Sequence, residues 1–495
     1  MTAALGDFER PITTDSEQAQ AYFNQGIQMM YAFAKDGAPA SFEEATRRDS
    51  TCAFCHWAVA WSHGSYLNGP MGADDEPLAY AAVQRALKLA PRTTSPVEQA
   101  LIEAMAVRYG PVYDADTRER LDSVYADAMA GVARRFPADL DAGTLYAESL
   151  MLLEPRRGRW DVQDEDVARI HTELERILSV DIRHPGACHL YIHATESTTE
   201  PGRAAACAEY LGSSIPGASH INHMPSHTWN RIGRWGDAVR SNIQAWHSDQ
   251  KASFDLGFAI YPSHNLHMLL FAASMDGQGA VALQAGKDYA KIVDGGNFFE
   301  VLALVRFGRF EELLALTDTP KKPIFRGMWD FGRGYAHLRV GDADNARVYL
   351  ERIDKVIRDD PEDNFRGHSA KDLLGIVGGI LKAELLRHEG DLDGAIAQLE
   401  MAVEIEDSLG YDEPEPLNFS ARHWLGSALV AAERGADAEA VYRAALEDHP
   451  RNGWCLLGLS QALDLQERFE EAADVEAEFE RAWARSDTWI RDSRF

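Results

Sequence analysis

The segment Gly308-Arg309-Phe310-Glu311-Glu312-Leu313 decides the fold, because the chain writes it again and again. It recurs as Gly233-Arg234-Trp235-Gly236-Asp237-Ala238, as Gly341-Asp342-Ala343-Asp344-Asn345-Ala346 and as Gly390-Asp391-Leu392-Asp393-Gly394-Ala395. A further copy reads Gly435-Ala436-Asp437-Ala438-Glu439-Ala440, and a weaker one Glu467-Arg468-Phe469-Glu470-Glu471-Ala472. Each lies between two stretches whose apolar residues fall at helical spacing. A glycine at the head suits the left-handed cap that ends one helix, and the Ala or Leu at the tail packs the next helix back on it.

Gly308 and Gly341 are 33 residues apart, and Gly435 and Glu467 are 32 apart. Both intervals approach the tetratricopeptide period of about 34; the intervals of 49 and 45 between the other copies mark longer loops or degenerate repeats. Upstream, Ala21, Phe23, Ile27, Met30 and Tyr31 give one amphipathic helix from Glu17 to Phe33, and Phe42 and Ala45 a second. Ser95-Pro96-Val97-Glu98 is a capping box. Strand-type alternation is hard to find. The expected fold is therefore all-α, an α-solenoid of tetratricopeptide-like helical hairpins curling around a central groove. Residues 1–15 read as an N-terminal arm, 16–290 as a histidine-rich helical-repeat region with a metal site, and 291–495 as C-terminal repeats.

The formal charge of −29 argues against nucleic acid or an anionic membrane as partner. No apolar run is long enough to span a bilayer. The start, Met1-Thr2-Ala3-Ala4-Leu5, lacks the basic and apolar regions of an export signal, so the expected location is the cytoplasm. Five cysteines are too few and too scattered for a disulfide framework. Cys52-x-x-Cys55-His56 matches a c-type haem attachment pattern, a thiolate metal or redox pair, or small residues buried in a helix seam.

Eight of the 17 histidines fall in three short stretches: His184, His189 and His193; His220, His223 and His227; His264 and His267. Offsets of three and four put side chains on one helical face, and rows of imidazoles on helices are a recurrent way to hold a transition metal. The expected ligands are His189, His193, His223, His227, His267 and His264. His220 serves equally as a cap, and His184 as the entry to a helix. Pro225, between His223 and His227, sets the second row across a helix start. Glu196, one turn beyond His193, and Glu148, on another helix of the same position in its hairpin, are the expected catalytic carboxylates.

The phrases HPGACHLYIHATE (184–196), INHMPSHTWNRIGRWGDAV (221–239), YPSHNLHMLLFAASMDG (261–277), CAFCHWAVAWSHG (52–64) and GYDEPEP (410–416) resemble a bacterial family of tetratricopeptide-repeat proteins with histidine-rich motifs. The resemblance covers most of the chain. It implies a helical-repeat fold and a shared histidine-lined site at His189, His193, His223, His227 and His267. Many relatives are exported, from which the start of this chain departs.

A ligand set made almost wholly of imidazole disfavours magnesium, calcium and manganese and leaves copper, zinc and iron. The surplus of histidines favours copper. The expected function is a metal-dependent oxidoreductase acting on a small organic molecule in the groove. A zinc-dependent hydrolase or lyase at the same histidines is one alternative. A non-catalytic metal-binding tetratricopeptide adaptor, docking a protein partner through its repeats, is another.

Overall fold

The computed structural model describes residues 5–155, 158–254 and 256–495. The chain is all-α, an α-solenoid of successive helical hairpins. Its described strands are a two-residue pair, Asn364–Phe365 with His368–Ser369. No described helix is long and apolar enough to cross a membrane. The chain divides into two compact units, Met1–Thr228 with Gln244–Pro262, and Trp229–Ile243 with Ser263–Phe495.

The repeated turn works as its sequence suggests, with one shift of register. Gly233, Gly308, Gly341 and Gly390 all take positive φ, from 66° to 90°. In the next copy the left-handed residue is Glu433, at φ 58°, and Gly435 is already the first residue of the helix Gly435–Asp448. The copy is therefore Glu433-Arg434-Gly435-Ala436-Asp437, and its left-handed residue lies 34 positions before that of the last copy, Glu467. Glycine is not what this copy shares with the others, since its left-handed residue is a glutamate. The chemistry that recurs is an Arg at the N-cap answered by an acid three residues on: Arg309 with Glu312, Arg434 with Asp437 and Arg468 with Glu471, at 2.6, 2.7 and 2.6 Å. Arg234 pairs with Asp237 in the same way. Asp342 and Asp391 cap directly, accepting the N–H of Asn345 and Gly394 at 3.2 and 2.9 Å.

In the first unit the helices Glu17–Tyr31, Ala38–Arg48 and Ala53–His63 bury a file of rings. Phe23 contacts Phe42 and Phe54 at 5.6 and 5.5 Å, and Phe54 stacks on Trp57 at 4.4 Å. Each such side chain contributes roughly 1.5–3 kcal/mol by leaving water. The N-terminal arm is tied down by charge. Arg10 meets Asp139 at 2.9 Å and the buried Asp141 at 2.5 Å, and Asp141 also accepts from His184 at 3.2 Å. In the second unit Phe298 stacks on Phe325 at 4.5 Å, and Trp424 donates to Tyr335 Oη at 2.9 Å.

The cysteines depart from the reading of their spacing. Cys52 is bonded to Cys55 and Cys188 to Cys207, with Cα–Cα separations of 5.3 and 5.0 Å, leaving Cys455 free and buried. The first pair is buried beside Ala19 and Ala45. It offers no thiolate to a metal or to haem. Sequence spacing missed the second bridge because Cys188 and Cys207 meet only once their helices pack.

Candidate metal centre

His184 opens the helix Pro185–Glu196 as its N-cap, its Nδ1 accepting the N–H of Ala187 at 3.1 Å. Pro185 at the first position suits that entry. His189, His193 and Glu196 then share one face at single-turn intervals. The second row is split, as Pro225 requires. Without an N–H, proline cannot continue the bonding ladder, so Ser219–His223 ends there and Pro225–Arg231 begins. His220 and His223 lie on the first piece and His227 on the second. Folding buries all six groups, none more than 4% exposed.

The hydrogen bonds orient the rings. His189 donates from Nδ1 to the main-chain oxygen of Tyr31 at 2.6 Å. His193 donates from Nδ1 to Glu196 Oε1 at 2.7 Å, and His227 donates from Nδ1 to Glu196 Oε2. An ionised carboxylate and a carbonyl only accept, so these three imidazoles carry their protons on Nδ1 and present Nε2 as a lone pair. His189 Nε2 lies 3.2 Å from His220 Nε2, and His227 Nε2 lies 2.7 Å from His223 Nε2. Each contact requires a proton on His220 or His223, or a cation in its place. His223 Nδ1 meets Ser226 Oγ at 3.3 Å. Burial, and then the neighbouring imidazoles, hold His220 well below the ordinary histidine pKa, so it is neutral.

One nitrogen from each of His189, His193 and His220 lies within 4.8 Å of the others. Tetrahedral zinc holds nitrogens at about 2.0–2.1 Å, which sets neighbouring ligands roughly 3.4 Å apart. The His189–His220 separation is close to that. Phe33 covers the group, its ring 4.1 Å from His189 and 5.6 Å from His220 by centroids. Tyr261 stands edge-on to His220 at 5.1 Å, and its hydroxyl meets that of Tyr66 at 2.6 Å. A void of about 10 Å³ opens between His193, Glu196, Leu67, Met151, Trp160 and Ser197, room for about one water molecule.

Of the expected residues, His189, His193, His223, His227 and Glu196 come together in the first unit. His264 and His267 belong to the second, in the first two turns of Pro262–Met275. There the His267 ring packs 4.5 Å from Phe299 and 6.0 Å from Phe365, and burial pushes its pKa well below the usual value. Glu148 is buried in Leu140–Met151 among Trp61, Arg108 and Lys35, and burial raises its carboxyl pKa. His220, weighed from sequence equally as a cap, completes the three-histidine group; its offset of three from His223 was the available signal. Nothing in the sequence marked the Tyr31 carbonyl or Phe33.

No protein-family model matches the chain, and no curated protein matches it. Among solved structures it is similar to Cut9 in the APC/C hetero-tetramer Cut9-Hcn1, with 14% identity over 95% of this chain and 74% of that one, at a TM-score of 0.30. It is also similar to the human IFIT1 dimer with m7Gppp-AAAA, with 11% identity over 87% and 90%, at 0.33. The P58(IPK) TPR domain matches with 10% identity over 91% and 98%, at 0.23. At such scores no ligand or activity carries over to this chain.

Proposed function

We propose that this protein is a metal-binding helical-repeat scaffold that holds a transition metal ion through Nε2 of His189 and His193 and a ring nitrogen of His220. One observation carries the reading. His189 and His193, on one helix with Nδ1 tied to Tyr31 and to Glu196, are buried together with His220 from another, and such ties are the means by which metal-ligating histidines are usually held in one tautomer. An all-nitrogen set suits copper, zinc or iron. The resemblance of the histidine phrases to the bacterial repeat family supports the same site. The pairing of four of the five cysteines favours an oxidising compartment over the cytoplasm.

The scaffold reading requires only that the imidazoles hold an ion, whereas the small-molecule oxidoreductase expected from sequence requires a bound organic substrate as well. A hydrolytic or oxidative enzyme is the second reading. It is favoured by Glu196, a carboxylate that lines the void and is bonded to the imidazoles. A protein partner docking on the repeats fits the scaffold reading.

Elemental analysis of the purified protein, with His193→Ala and His220→Ala, tests the site. About one equivalent of copper, zinc or iron, lost in both variants while the far-ultraviolet dichroism is kept, is the expected result. Failure to load stoichiometric metal after reconstitution would sink it.

A further inference from the structure

The turn Gly233-Arg234-Trp235-Gly236-Asp237 differs from its sister copies in what packs on its two glycines. A Cβ at Gly233 would stand 2.2 Å from the Pro450 carbonyl oxygen, and one at Gly236 would stand 2.3 Å from Arg485 Nε. These close approaches bring the turn at Arg451 and the chain around the end of Phe469–Trp483 against the start of Trp235–Ala252. The three segments line a cavity of about 400 Å³ in the second unit, and Arg234, Arg240, Arg451, Arg481 and Arg485 are all part of its wall.

Five arginines around one cavity run against a chain whose formal charge is −29. The carboxylates nearby are largely engaged. Asp237 accepts from both Arg234 and Arg240. Asp276, 1% exposed, grips Arg485 through bonds of 2.6 and 2.9 Å. Arg234 is further held over the Trp229 ring, 3.8 Å from its centroid. Glu478, the other lining acid, has no ion pair among the described residues, and neither do Arg451 and Arg481. Counting Asp237, Glu478 and Asp276 against the five arginines leaves two positive charges over. Three arginines are fixed in place and two stand ready.

We infer that this cavity binds the phosphate monoester dianion of a small molecule. A phosphate monoester carries about −1.5 to −2 charges at pH 7 and three acceptor oxygens, which matches the two-charge excess; a single carboxylate does not. Arginine forks engage phosphate oxygens in pairs. The volume lies within the roughly 300–1,000 Å³ of small-molecule sites. The site is independent of the histidine centre.

The test is calorimetric titration of the full-length protein at low ionic strength with glycerol 3-phosphate, inorganic phosphate and malonate. The comparison protein is the Arg451→Gln/Arg481→Gln double variant; both side chains are exposed and unpaired, so its thermal unfolding is expected to match that of the parent. Glycerol 3-phosphate should bind one per chain and weaken about tenfold or more in the double variant, as the loss of one or more charged hydrogen bonds predicts. Inorganic phosphate binding as tightly as the ester assigns the site to the free ion and keeps the phosphate chemistry. Malonate binding as tightly as either overturns that chemistry. Absence of binding at millimolar concentration, or binding unchanged in the double variant, overturns the site.

Discussion

His189 Nδ1 lies 2.6 Å from the main-chain oxygen of Tyr31, joining two helices far apart in sequence through one imidazole. The contact fixes the proton on Nδ1 and turns Nε2 toward His220. A backbone carbonyl cannot be substituted away, so this part of the site is set by the path of the chain. Glu196 does the same for His193 and His227, and there a side chain can be changed.

Glu196→Gln keeps the shape and removes the charge. Its amide can accept from one imidazole but presents N–H to the other, where an acceptor is needed. Metal affinity should fall about 10–100-fold, the usual loss when the partner of a ligating histidine is removed. Competition against a coloured chelator reads this directly. Affinity equal to that of the parent would show that Glu196 does not orient the ligands.

His267→Ala should separate packing from ligation. The ring fills space beside Phe299 and Phe365, so truncation leaves a cavity and costs about 3 kcal/mol. Urea unfolding should show that loss while metal content stays at the parental value. Loss of metal in a variant that remains folded would bring His267 back among the ligands.

Asp412 links stability to pH. Burial opposes its ionisation, but hydrogen bonds from His368 and Arg366, together with the guanidinium charge, outweigh burial and hold its pKa at about 2. The folded value lies below the unfolded value of about 3.9. The stabilisation is therefore complete above about pH 4 and is lost as pH falls toward 2. Asp412→Asn should cost about 2 kcal/mol at pH 7, with the deficit shrinking between pH 4 and 2. A deficit that is the same at pH 7 and pH 2.5 would rule out the ion pair as its source.

The cysteines give a count. Unfolded without reductant, the protein should show one reactive thiol, Cys455, and five after reduction. Five before reduction would mean that Cys52, Cys55, Cys188 and Cys207 are unpaired.

Two glycines of the repeated turn should respond differently to alanine. Gly341 has φ 90° and open space where a Cβ would go, so Gly341→Ala bears only the left-handed penalty of about 1–2 kcal/mol. Gly233 has φ 74° and the Pro450 oxygen in the way, so Gly233→Ala should cost clearly more in the same thermal unfolding experiment. Equal losses would mean that the Pro450 turn gives way freely.

The sequence by itself determined the helices, the hairpin repeat and the histidine rows, because all three depend on neighbours within a turn or two of the chain. Helical offsets put His189 above His193, Pro225 broke the second row, and an Arg–acid pair three residues apart or a capping Asp closed each repeated turn. Tertiary structure decided which rows meet. It joined His220 to His189 and His193, set His267 among phenyl rings, surrounded Glu148 with Trp61, Arg108 and Lys35, and bridged Cys188 to Cys207. Those outcomes depend on how helices distant in sequence pack together. Spacing along one helix fixes which side chains share its face and says nothing of which other helix that face will cover.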